Sequence, residues 1–308
     1  MLDIEELKIS FAARTGAVQA SDGISLSIKQ GETLGLVGES GCGKTMVALS
    51  IMRLLPAKAK TSGRILFKGK DLFLLSEKEM REIRGREIAM IFEQPQTCLN
   101  PVFTVGDQIA EAVRIQEKCS RKASRQKALA MMEMVGIALP KRKYYQYPHE
   151  YSGGMVQRAM IAMALVLRPA LLIADEPTIS LDATIQAQIM LLLKDLVARF
   201  NTSLLLITHD LAVVAGICHR VVVLYAGGIV EEGPVKEVFV APKHPYTMAL
   251  LRAAAYEGPG PINGTALEPA GLSDGCRFHA RCKFSQNICR EVLPRLKEGV
   301  RCHLRGKI

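Results

Sequence analysis

A glycine-rich segment near the N-terminus has the residue types and the spacing of a phosphate-binding loop. Residues 38–45 read GESGCGKT and match the pattern G-x-x-x-x-G-K-[ST]. In such a loop successive backbone N–H groups converge on the phosphates, the lysine reaches the β- and γ-phosphates, and the last hydroxyl faces Mg²⁺. The apolar strand pattern LGLVG precedes the segment and the helical pattern KTMVALSIMRLL follows it, which is the order that the loop requires. We therefore predict a nucleotide-phosphate site built from Gly38, Glu39, Ser40, Gly41, Cys42, Gly43, Lys44, Thr45 and Met46.

Two acidic residues and a histidine end apolar strand patterns farther along the chain. Asp175 and Glu176 close the segment LLIADEP, and His209 lies in ITHD after another apolar run. The carboxyl ends of parallel strands meet at one edge of a sheet, so we expect these side chains beside the phosphate loop. Asp175 would then hold Mg²⁺ together with Thr45, and Glu176 would polarise an attacking water. We predict Lys44, Glu176 and His209 as catalytic residues, with His209 hydrogen-bonded to the γ-phosphate.

A second glycine segment follows much later, in YSGGMVQR at residues 151–158. Ser152, Gly153 and Gly154 precede a helical pattern, and the N–H groups at a helix start attract anions. A nucleotide needs only one phosphate loop. From these residues alone, the segment is either an ordinary helix start or a second phosphate contact.

The composition limits the kind of protein this chain forms. It has 308 residues, of which 49% are hydrophobic and 23% charged, so the composition is globular. A net charge of +10 suits nucleic acid, an anionic membrane surface or phosphate ligands, but the basic residues are dispersed as on a solvated surface. No segment reaches the roughly 18 apolar residues of a membrane-spanning helix, and the acidic start MLDIEELKIS does not resemble a signal peptide. We therefore expect a cytosolic chain with mostly reduced cysteines.

The order of the sequence patterns predicts an α/β fold with two additions. Strand patterns open the chain, helical spacing dominates from about 97 to 157, and strand–helix alternation then returns, which predicts a mostly parallel sheet covered by helices. The segment EGPGPINGTALEPAGLSDG at 257–275 is rich in glycine and proline and predicts a linker. We predict one domain over 1–235, with a helical subdomain inserted at about 95–157, and a C-terminal extension over 236–308.

The C-terminal extension carries four cysteines, Cys276, Cys282, Cys289 and Cys302. Five, six and twelve residues separate them, so the paired C-x₂-C knuckles of zinc ribbons are absent. Four thiolates can hold a [4Fe–4S] cluster, and the nearby Arg277, Arg281 and Lys283 could offset their charge. The alternatives are a zinc site, or four free or pairwise oxidised cysteines that only pack the extension.

Together these segments resemble the ATPase subunit of ABC transporters. GESGCGKT is similar to the Walker A motif, SGGMVQ to the signature, LLIADEP to Walker B, SLD at 180–182 to the D-loop and ITHD to the H-loop, in the order of the family. The resemblance implies a P-loop (RecA-like) core with an antiparallel β subdomain and a helical insert. It also implies that two subunits enclose two ATP molecules head to tail. The residues that would contact the partner's ATP are then Ser152, Gly153, Gly154, Gln157 and Asp182.

Longer strings resemble the peptide and nickel importer branch of this family, among them YPHEYSGGMVQRAMIAMAL, DATIQAQI, HPYTMALL and the cysteine segment GCRFHARCKFSQNICR. This implies ATP hydrolysis coupled to uptake of di- or oligopeptides, with nickel as the alternative cargo. It implies a second ATPase subunit, homologous or identical, together with two permeases and an external solute-binding protein, at the cytoplasmic face of the inner membrane. It also implies a [4Fe–4S] cluster at the four cysteines. We expect no nucleic acid; a soluble ABC ATPase acting on nucleic acid or the ribosome is a remote alternative.

One segment departs from the pattern of this branch. The branch has glutamine followed by an acidic residue in the Q-loop, whereas this chain reads FEQP, with Glu93 before Gln94. The family's glutamine helps to hold Mg²⁺ and senses the γ-phosphate. Either Glu93 ligates Mg²⁺ or Gln94 takes over the role, and the sequence leaves both open. We expect segment 93–108, between the Q-loop and the helical insert, to dock on the permease.

Overall fold

The computed structural model of the chain describes residues 1–13, 16–179, 181–254 and 274–305. Most of the predicted linker at 257–275, and Ser180 of the predicted D-loop, lie outside the described residues. The elements of the N-terminal half are β1 (Leu2–Ala13), β2 (Gly16–Ile28), β3 (Thr33–Val37), α1 (Lys44–Ile51), β4 (Ala59–Phe67), β5 (Lys70–Asp71), α2 (Glu77–Ile83), β6 (Ile88–Ile91), α3 (Pro95–Cys98), α4 (Val105–Glu117), α5 (Arg121–Met134) and α6 (Pro140–Lys143).

The second half continues the alternation of helices and strands that the sequence predicts. Its elements are α7 (Gly153–Leu165), β7 (Leu171–Asp175), α8 (Ala183–Phe200), β8 (Ser203–Ile207), α9 (Leu211–Ile217), β9 (Arg220–Tyr225), β10 (Gly228–Pro234), α10 (Val235–Val240), α11 (Pro245–Ala254) and α12 (Asn287–Glu291). Short 3₁₀ helices cover Leu72–Leu74, Pro148–Glu150 and His279–Arg281. Within the described ranges, no helix is both long and apolar enough to cross a membrane.

The chain folds as two compact units. The first contains Met1–Lys29, Thr33–Leu74 and Leu206–Ile308, and the second contains Gln30–Glu32 and Leu75–Leu205. This division differs from the predicted boundary at 235/236, because the C-terminal extension belongs to the same unit as the N-terminal strands. The extension is joined to the middle of the strand β10 by main-chain hydrogen bonds, from Arg301 N to Val230 O at 2.8 Å and from Glu232 N to Gly299 O at 2.7 Å. Composition marks where the extension begins, but not where it packs.

An antiparallel sheet with strand order β2-β1-β4-β5 forms one layer of the first unit. The buried residues Ile4 and Leu7 are three positions apart, which would place them on opposite faces of a regular strand. A register shift between them, with Glu6 at φ +47°, returns Leu7 to the buried face. Gly63 of β4 lies against this irregularity, where a Cβ atom would stand 2.5 Å from the carbonyl oxygens of Glu5 and Glu6. The predicted antiparallel β subdomain is thus present.

The parallel strands of the first unit position the phosphate loop. β3 pairs in parallel with β9, from Leu34 beside Arg220 to Val37 beside Val223, and β9 continues into the antiparallel strand β10. All five residues of β3 are buried, as is typical of a parallel strand covered on both faces. The last part of β8 also belongs to this unit, where Thr208 N donates to Leu36 O at 3.4 Å. β3 therefore ends in the interior at Val37, and the loop begins there.

The second unit combines parallel strands with the predicted helical subdomain. β6 and β7 pair in parallel from Ile88 beside Leu171 to Ile91 beside Ala174. The helices begin at residues whose side chains accept backbone N–H groups, with Thr104 capping α4 and Ser120 capping α5. Gly106, in the first turn of α4, lies against the ring of Tyr144, since a Cβ atom there would be 2.1 Å from that ring. The prediction of a helical insert is confirmed.

Candidate active site

The phosphate loop, residues 38–45, connects β3 to α1 in a conformation that glycine permits. Gly38, Gly41 and Gly43 have φ values of +151°, +78° and +104°. A Cβ atom on Gly38 would stand 2.3 Å from Leu224 O, and one on Gly43 would stand 2.2 Å from Ala20 O. A Cβ atom on Gly41 would meet no atom within 4 Å in the part of the chain that the structure describes. Two of the glycines therefore let the loop approach neighbouring backbone, whereas the third borders open space.

The ammonium group of Lys44 lies inside the curve of this loop. Its Nζ donates to Gly38 O at 2.8 Å and to Glu39 O at 2.9 Å, and the residue is only 8% exposed. The loop thus holds a positive charge among its own carbonyl groups, and a phosphate could attract that charge away from them. The neighbouring thiol of Cys42 is buried, which raises its pKa, although Lys44 opposes the shift. Thr45 is half-buried in the first turn of α1, and no acidic residue is present in that turn.

Glu39 of the loop is held by two residues that the sequence analysis did not assign to the site. Its backbone N–H donates to the hydroxyl of Tyr246 at 2.9 Å. Its carboxylate accepts two hydrogen bonds from Arg281, at 2.8 and 3.0 Å. Tyr246 belongs to the HPYTMALL string, but nothing in that string indicates contact with the loop. We call these three residues, Glu39, Tyr246 and Arg281, the Glu39 clamp.

His209 also belongs to the first unit and directly follows β8. Its side chain is exposed. The hydroxyl of Thr208 accepts the backbone N–H of Asp210 at 3.1 Å, and the carboxylate of Asp210 caps α9 by accepting Ala212 N and Val213 N. These bonds fix the backbone on both sides of His209, so the imidazole projects from a rigid strand end.

The two predicted acidic residues lie together at the end of β7, in the second unit. Asp175 is the last residue of the strand and is 2% exposed. Glu176 follows with φ +44°, a left-handed backbone that is strained for a residue with a side chain. A buried carboxylate such as that of Asp175 is favoured when a bound cation neutralises its charge. Backbone strain such as that at Glu176 is typical of functional sites.

The signature segment, also in the second unit, begins a helix whose N-terminus is open. Ser152 is the N-cap residue of α7 and is exposed, and no described side chain caps this end. The first turn contains Gly153 and Gly154 and no acidic residue. The first N–H groups of this 13-residue helix therefore lie at its positive end without a side-chain cap, next to the exposed Ser152, while Leu181 and Ile185 pack near the two glycines.

The other two residues expected to contact a partner's ATP have different surroundings. Gln157 is fully buried at 0% exposure, and neither its Nε2 nor its Oε1 has a hydrogen-bond partner among the described residues. In this conformation the amide is not at the protein surface, and its contact with a partner's ATP stays a prediction. Asp182 is the N-cap of α8 and accepts Ile185 N at 3.0 Å. Its carboxylate thus has a structural task that would compete with contact to a nucleotide.

The Q-loop residues lie between β6 and α3, also in the second unit. The side chains of Glu93 and Gln94 are both exposed. The carbonyl group of Gln94 accepts hydrogen bonds from the N–H and the hydroxyl of Thr97, at 3.2 and 2.9 Å. This turn fixes the backbone and leaves both side chains accessible, so both alternatives for the Q-loop stay open.

The four cysteines of the C-terminal extension line one small cavity in the first unit, together with His244, Pro245, Phe278, His279, Phe284, His303 and Leu304. None of the cysteines in the described residues forms a disulfide. Burial raises the pKa of Cys276 to about 11, and the neighbouring thiols add to this effect, so that thiol is neutral without a metal. However, no group of three or more His, Cys, Asp or Glu side chains in the described part of the chain is arranged to hold a metal ion.

Two of the arginines beside these cysteines form ion pairs with carboxylates. Arg277 pairs with Asp22 at 2.5 Å and donates to Ala226 O at 2.8 Å. Arg281 pairs with Glu39 of the phosphate loop. The carboxylates of Asp22 and Glu39 thus already engage these two guanidinium groups, and an offset of thiolate charge by Arg277, Arg281 and Lys283 stays a prediction.

Comparison with known proteins agrees with the motifs and with the fold. The family model "ABC transporter" matches residues 21–179, and the model "Oligopeptide/dipeptide transporter, C-terminal region" matches residues 230–289. The dimeric ATP-binding cassette MJ0796, solved in a post-hydrolysis state with ADP and Pi, has a similar structure, with a TM-score of 0.69 and 26% identity. That similarity covers 76% of this chain and 99% of the solved chain.

Two curated relatives match almost the whole chain. The probable peptide ABC transporter ATP-binding protein y4tR of Sinorhizobium fredii is 50% identical over 306 residues, 97% of this chain and 91% of the relative. The dipeptide transport ATP-binding protein DppD of Bacillus subtilis is 50% identical over 301 residues, 96% of this chain and 90% of the relative. The chain therefore belongs to the ABC transporter family, as one of its ATP-hydrolysing subunits.

Proposed function

We propose that this chain drives the import of di- or oligopeptides through separate permease subunits. One observation carries the proposal: identity of 50% over 97% of the chain to a probable peptide ABC transporter ATP-binding protein. The match of residues 230–289 to the C-terminal region of oligopeptide and dipeptide transporters adds to it. The names of these relatives specify peptides, so we favour peptides over nickel as the cargo.

In the proposed reaction the phosphate loop binds ATP through its backbone N–H groups. Lys44 leaves the carbonyl oxygens of Gly38 and Glu39 and neutralises charge on the β- and γ-phosphates. Thr45 and the buried Asp175 are the residues that would hold Mg²⁺, since a hydroxyl and a carboxylate suit this hard cation. When bound, Mg²⁺ neutralises the charge that develops on the phosphate oxygens.

The attack on the γ-phosphate requires a water and a group that orients it. We assign this role to Glu176. It directly follows a buried strand, and its backbone is held in the left-handed region at φ +44°. The exposed imidazole of His209 donates a hydrogen bond to the γ-phosphate. The bond between the β- and γ-phosphates breaks, and the products are ADP and inorganic phosphate.

A second ATPase subunit completes each nucleotide pocket. The open N-terminus of α7, with exposed Ser152 and the glycines Gly153 and Gly154, offers the N–H groups for a γ-phosphate bound to the partner. Closure then depends on ATP, and hydrolysis removes the anion that joins the subunits. The partner is a second copy or a homologous chain.

A cavity of about 510 Å³ in the second unit supports the assignment of a permease dock. Its lining includes the exposed Phe103 together with basic, acidic and aromatic side chains, among them Asp107, Glu111, Arg121, Arg125, Tyr144 and Tyr145. Val102 beside it is 71% exposed. Such a mixture suits a short helix with both apolar and charged residues, and it overlaps the predicted dock at 93–108. The subunit would thereby sit at the cytoplasmic membrane face, with an external solute-binding protein delivering peptide to the permeases.

A [4Fe–4S] cluster remains a prediction for the C-terminal extension. In its favour, Cys276, Cys282, Cys289 and Cys302 line the same cavity. Against it, the described side chains do not form a ready ligand set, so the thiols would have to move to bind iron. Iron and acid-labile sulfide analysis of anaerobically purified chain decides the matter, and absence of both elements would rule the cluster out.

Transport tests the main proposal directly. The chain, its companion ATPase and the two permeases should be reconstituted in vesicles with the solute-binding protein outside. We expect ATP-dependent uptake of a labelled dipeptide or oligopeptide, and no uptake with Lys44→Ala. Uptake of nickel in place of peptides would overturn the cargo assignment.

A further inference from the structure

The Glu39 clamp connects the C-terminal extension to the phosphate loop from two directions. Tyr246 accepts the backbone N–H of Glu39, and Arg281 binds its carboxylate with both terminal nitrogens. The side chain of Arg281 is only 6% exposed, and that of Glu39 is 24% exposed. Such shielded, two-pronged pairs between a guanidinium and a carboxylate fix both distance and orientation.

A cluster of buried aromatic rings packs against the Glu39 clamp. Tyr225 and Tyr246 have ring centroids 4.7 Å apart, and Phe278 packs edge-on to both at 5.2 and 5.5 Å. The guanidinium of Arg281 lies 5.7 Å from the ring of Tyr225 and donates to its hydroxyl at 3.3 Å. All three aromatic residues are 3% exposed or less. Arg281 is therefore held on a rigid base, and it transmits that rigidity to Glu39.

The clamp is linked to Lys44 through a single residue, Glu39. The carbonyl oxygen of Glu39 accepts a hydrogen bond from Lys44 Nζ at 2.9 Å. Glu39 thus makes three separate contacts: its N–H donates to Tyr246, its carboxylate binds Arg281, and its carbonyl group accepts from Lys44. A shift of Glu39 would move both the resting position of Lys44 and the N–H groups that follow it in the loop.

We infer that Arg281 is a positioning residue for ATP: through Glu39 it sets the conformation of the phosphate loop, so the C-terminal extension forms part of the nucleotide site. This inference rests on the proposed hydrolysis of ATP by this loop. In this inference Arg281 acts on ATP through Glu39, whose carboxylate it binds. The extension then has a role in binding ATP beyond any role of its cysteines.

The alternative is that Arg281 only anchors the extension, and a second arginine provides the control for it. Arg301 is a half-buried residue of the same extension, and its Nε donates to Ile229 O at 2.8 Å. It anchors the extension to β10, and its described hydrogen bonds do not include the phosphate loop. Arg301→Ala should lower the melting temperature, as Arg281→Ala should, but it leaves Glu39 in place.

The test measures KM and kcat for ATP in the full chain with its companion ATPase, together with binding of a fluorescent ATP analogue to the chain alone. Loss of a hydrogen bond to a charged group typically changes affinity by about tenfold or more, so we expect Arg281→Ala to raise KM and Kd about tenfold. Arg281→Lys should restore part of the affinity, because it keeps one of the hydrogen bonds. Arg301→Ala should leave KM and Kd within about twofold of the wild type.

A double-mutant cycle makes the inference specific. Glu39→Gln should raise KM as Arg281→Ala does, and the double variant should be no worse than either single variant. Equal KM values in Arg281→Ala and Arg301→Ala, or additive effects in the cycle, would overturn the inference. If Arg281→Ala fails to fold, Glu39→Gln breaks the same pair from its more exposed side, and an unchanged KM there overturns it equally. A wild-type chain without ATPase activity would instead refute the proposed function.

Discussion

Replacing Gly43 by alanine should damage the phosphate loop more than the same replacement at Gly41. Both glycines have positive φ values, +104° and +78°, which cost about 1–2 kcal/mol for a residue with a Cβ atom. The two positions differ in the space available. The added carbon would stand 2.2 Å from Ala20 O at Gly43, but at Gly41 it would meet no atom of the described residues within 4 Å.

The magnitude follows from this contact. Real Cβ atoms keep at least 3.0 Å from their neighbours, so the loop or β2 would have to move by about 0.8 Å, the difference from 2.2 Å. Overpacking of this kind adds about 1–3 kcal/mol, which brings Gly43→Ala to ~2–5 kcal/mol. With roughly 2–4 °C per kcal/mol, we expect its melting temperature to fall by about twice as much as that of Gly41→Ala.

The assay is thermal unfolding of both variants, first without nucleotide and then with ATP and Mg²⁺. The measurement without nucleotide isolates the strain, because the open space beside Gly41 is then filled by water alone. With ATP present, the wild-type chain should gain stability and Gly43→Ala should gain little. Equal melting temperatures of the two variants without nucleotide would refute the steric argument.

Three further changes test separate parts of the structure. Glu176→Gln should abolish turnover yet keep ATP binding and accumulate a closed dimer in size-exclusion chromatography; hydrolysis at the wild-type rate would exclude its catalytic role. Burial lowers the pKa of His244 from 6.5 to about 3, so the folded chain rejects a proton that the unfolded chain accepts. Stability should therefore fall as the pH drops below about 6.5, by up to ~1.4 kcal/mol per pH unit, and chemical denaturation of His244→Asn should show a smaller slope. An identical slope in both would contradict this assignment. Gly106→Ala would place a carbon 2.1 Å from the ring of Tyr144 and should destabilise the second unit by ~1–3 kcal/mol; an unchanged melting curve would show that the ring can move aside.

The parts of the fold that depend on local patterns could be predicted from the sequence. Adjacent residues at 33–51 predict a strand, a glycine loop and a helix in this order, and the structure contains these elements in the same order. The helical spacing in the insert likewise predicts α4, α5 and α7, because an apolar stripe at helical spacing needs no distant partner to be recognised.

The Glu39 clamp could not be predicted in this way. Tyr246 and Arg281 are 207 and 242 residues from Glu39, and no periodicity links positions so far apart. The same limit explains why the predicted boundary at 235/236 differs from the division into two units. A composition shift near 236 does not reveal which strand the extension pairs with. In contrast, the burial of Gln157 was accessible from the sequence. It lies three and four positions before the apolar Met160 and Ile161, hence on the same helix face.

The pairing of residues 299–301 with β10 has a consequence for any shortened form of the protein. β10 ends the run of strands in the first unit, and the extension supplies the hydrogen bonds at Val230 and Glu232. A fragment truncated after residue 235 would expose this strand edge, and bare edges of this kind recruit strands from other molecules. Such a fragment would retain every ATP-binding motif of the family and would nevertheless be prone to aggregate.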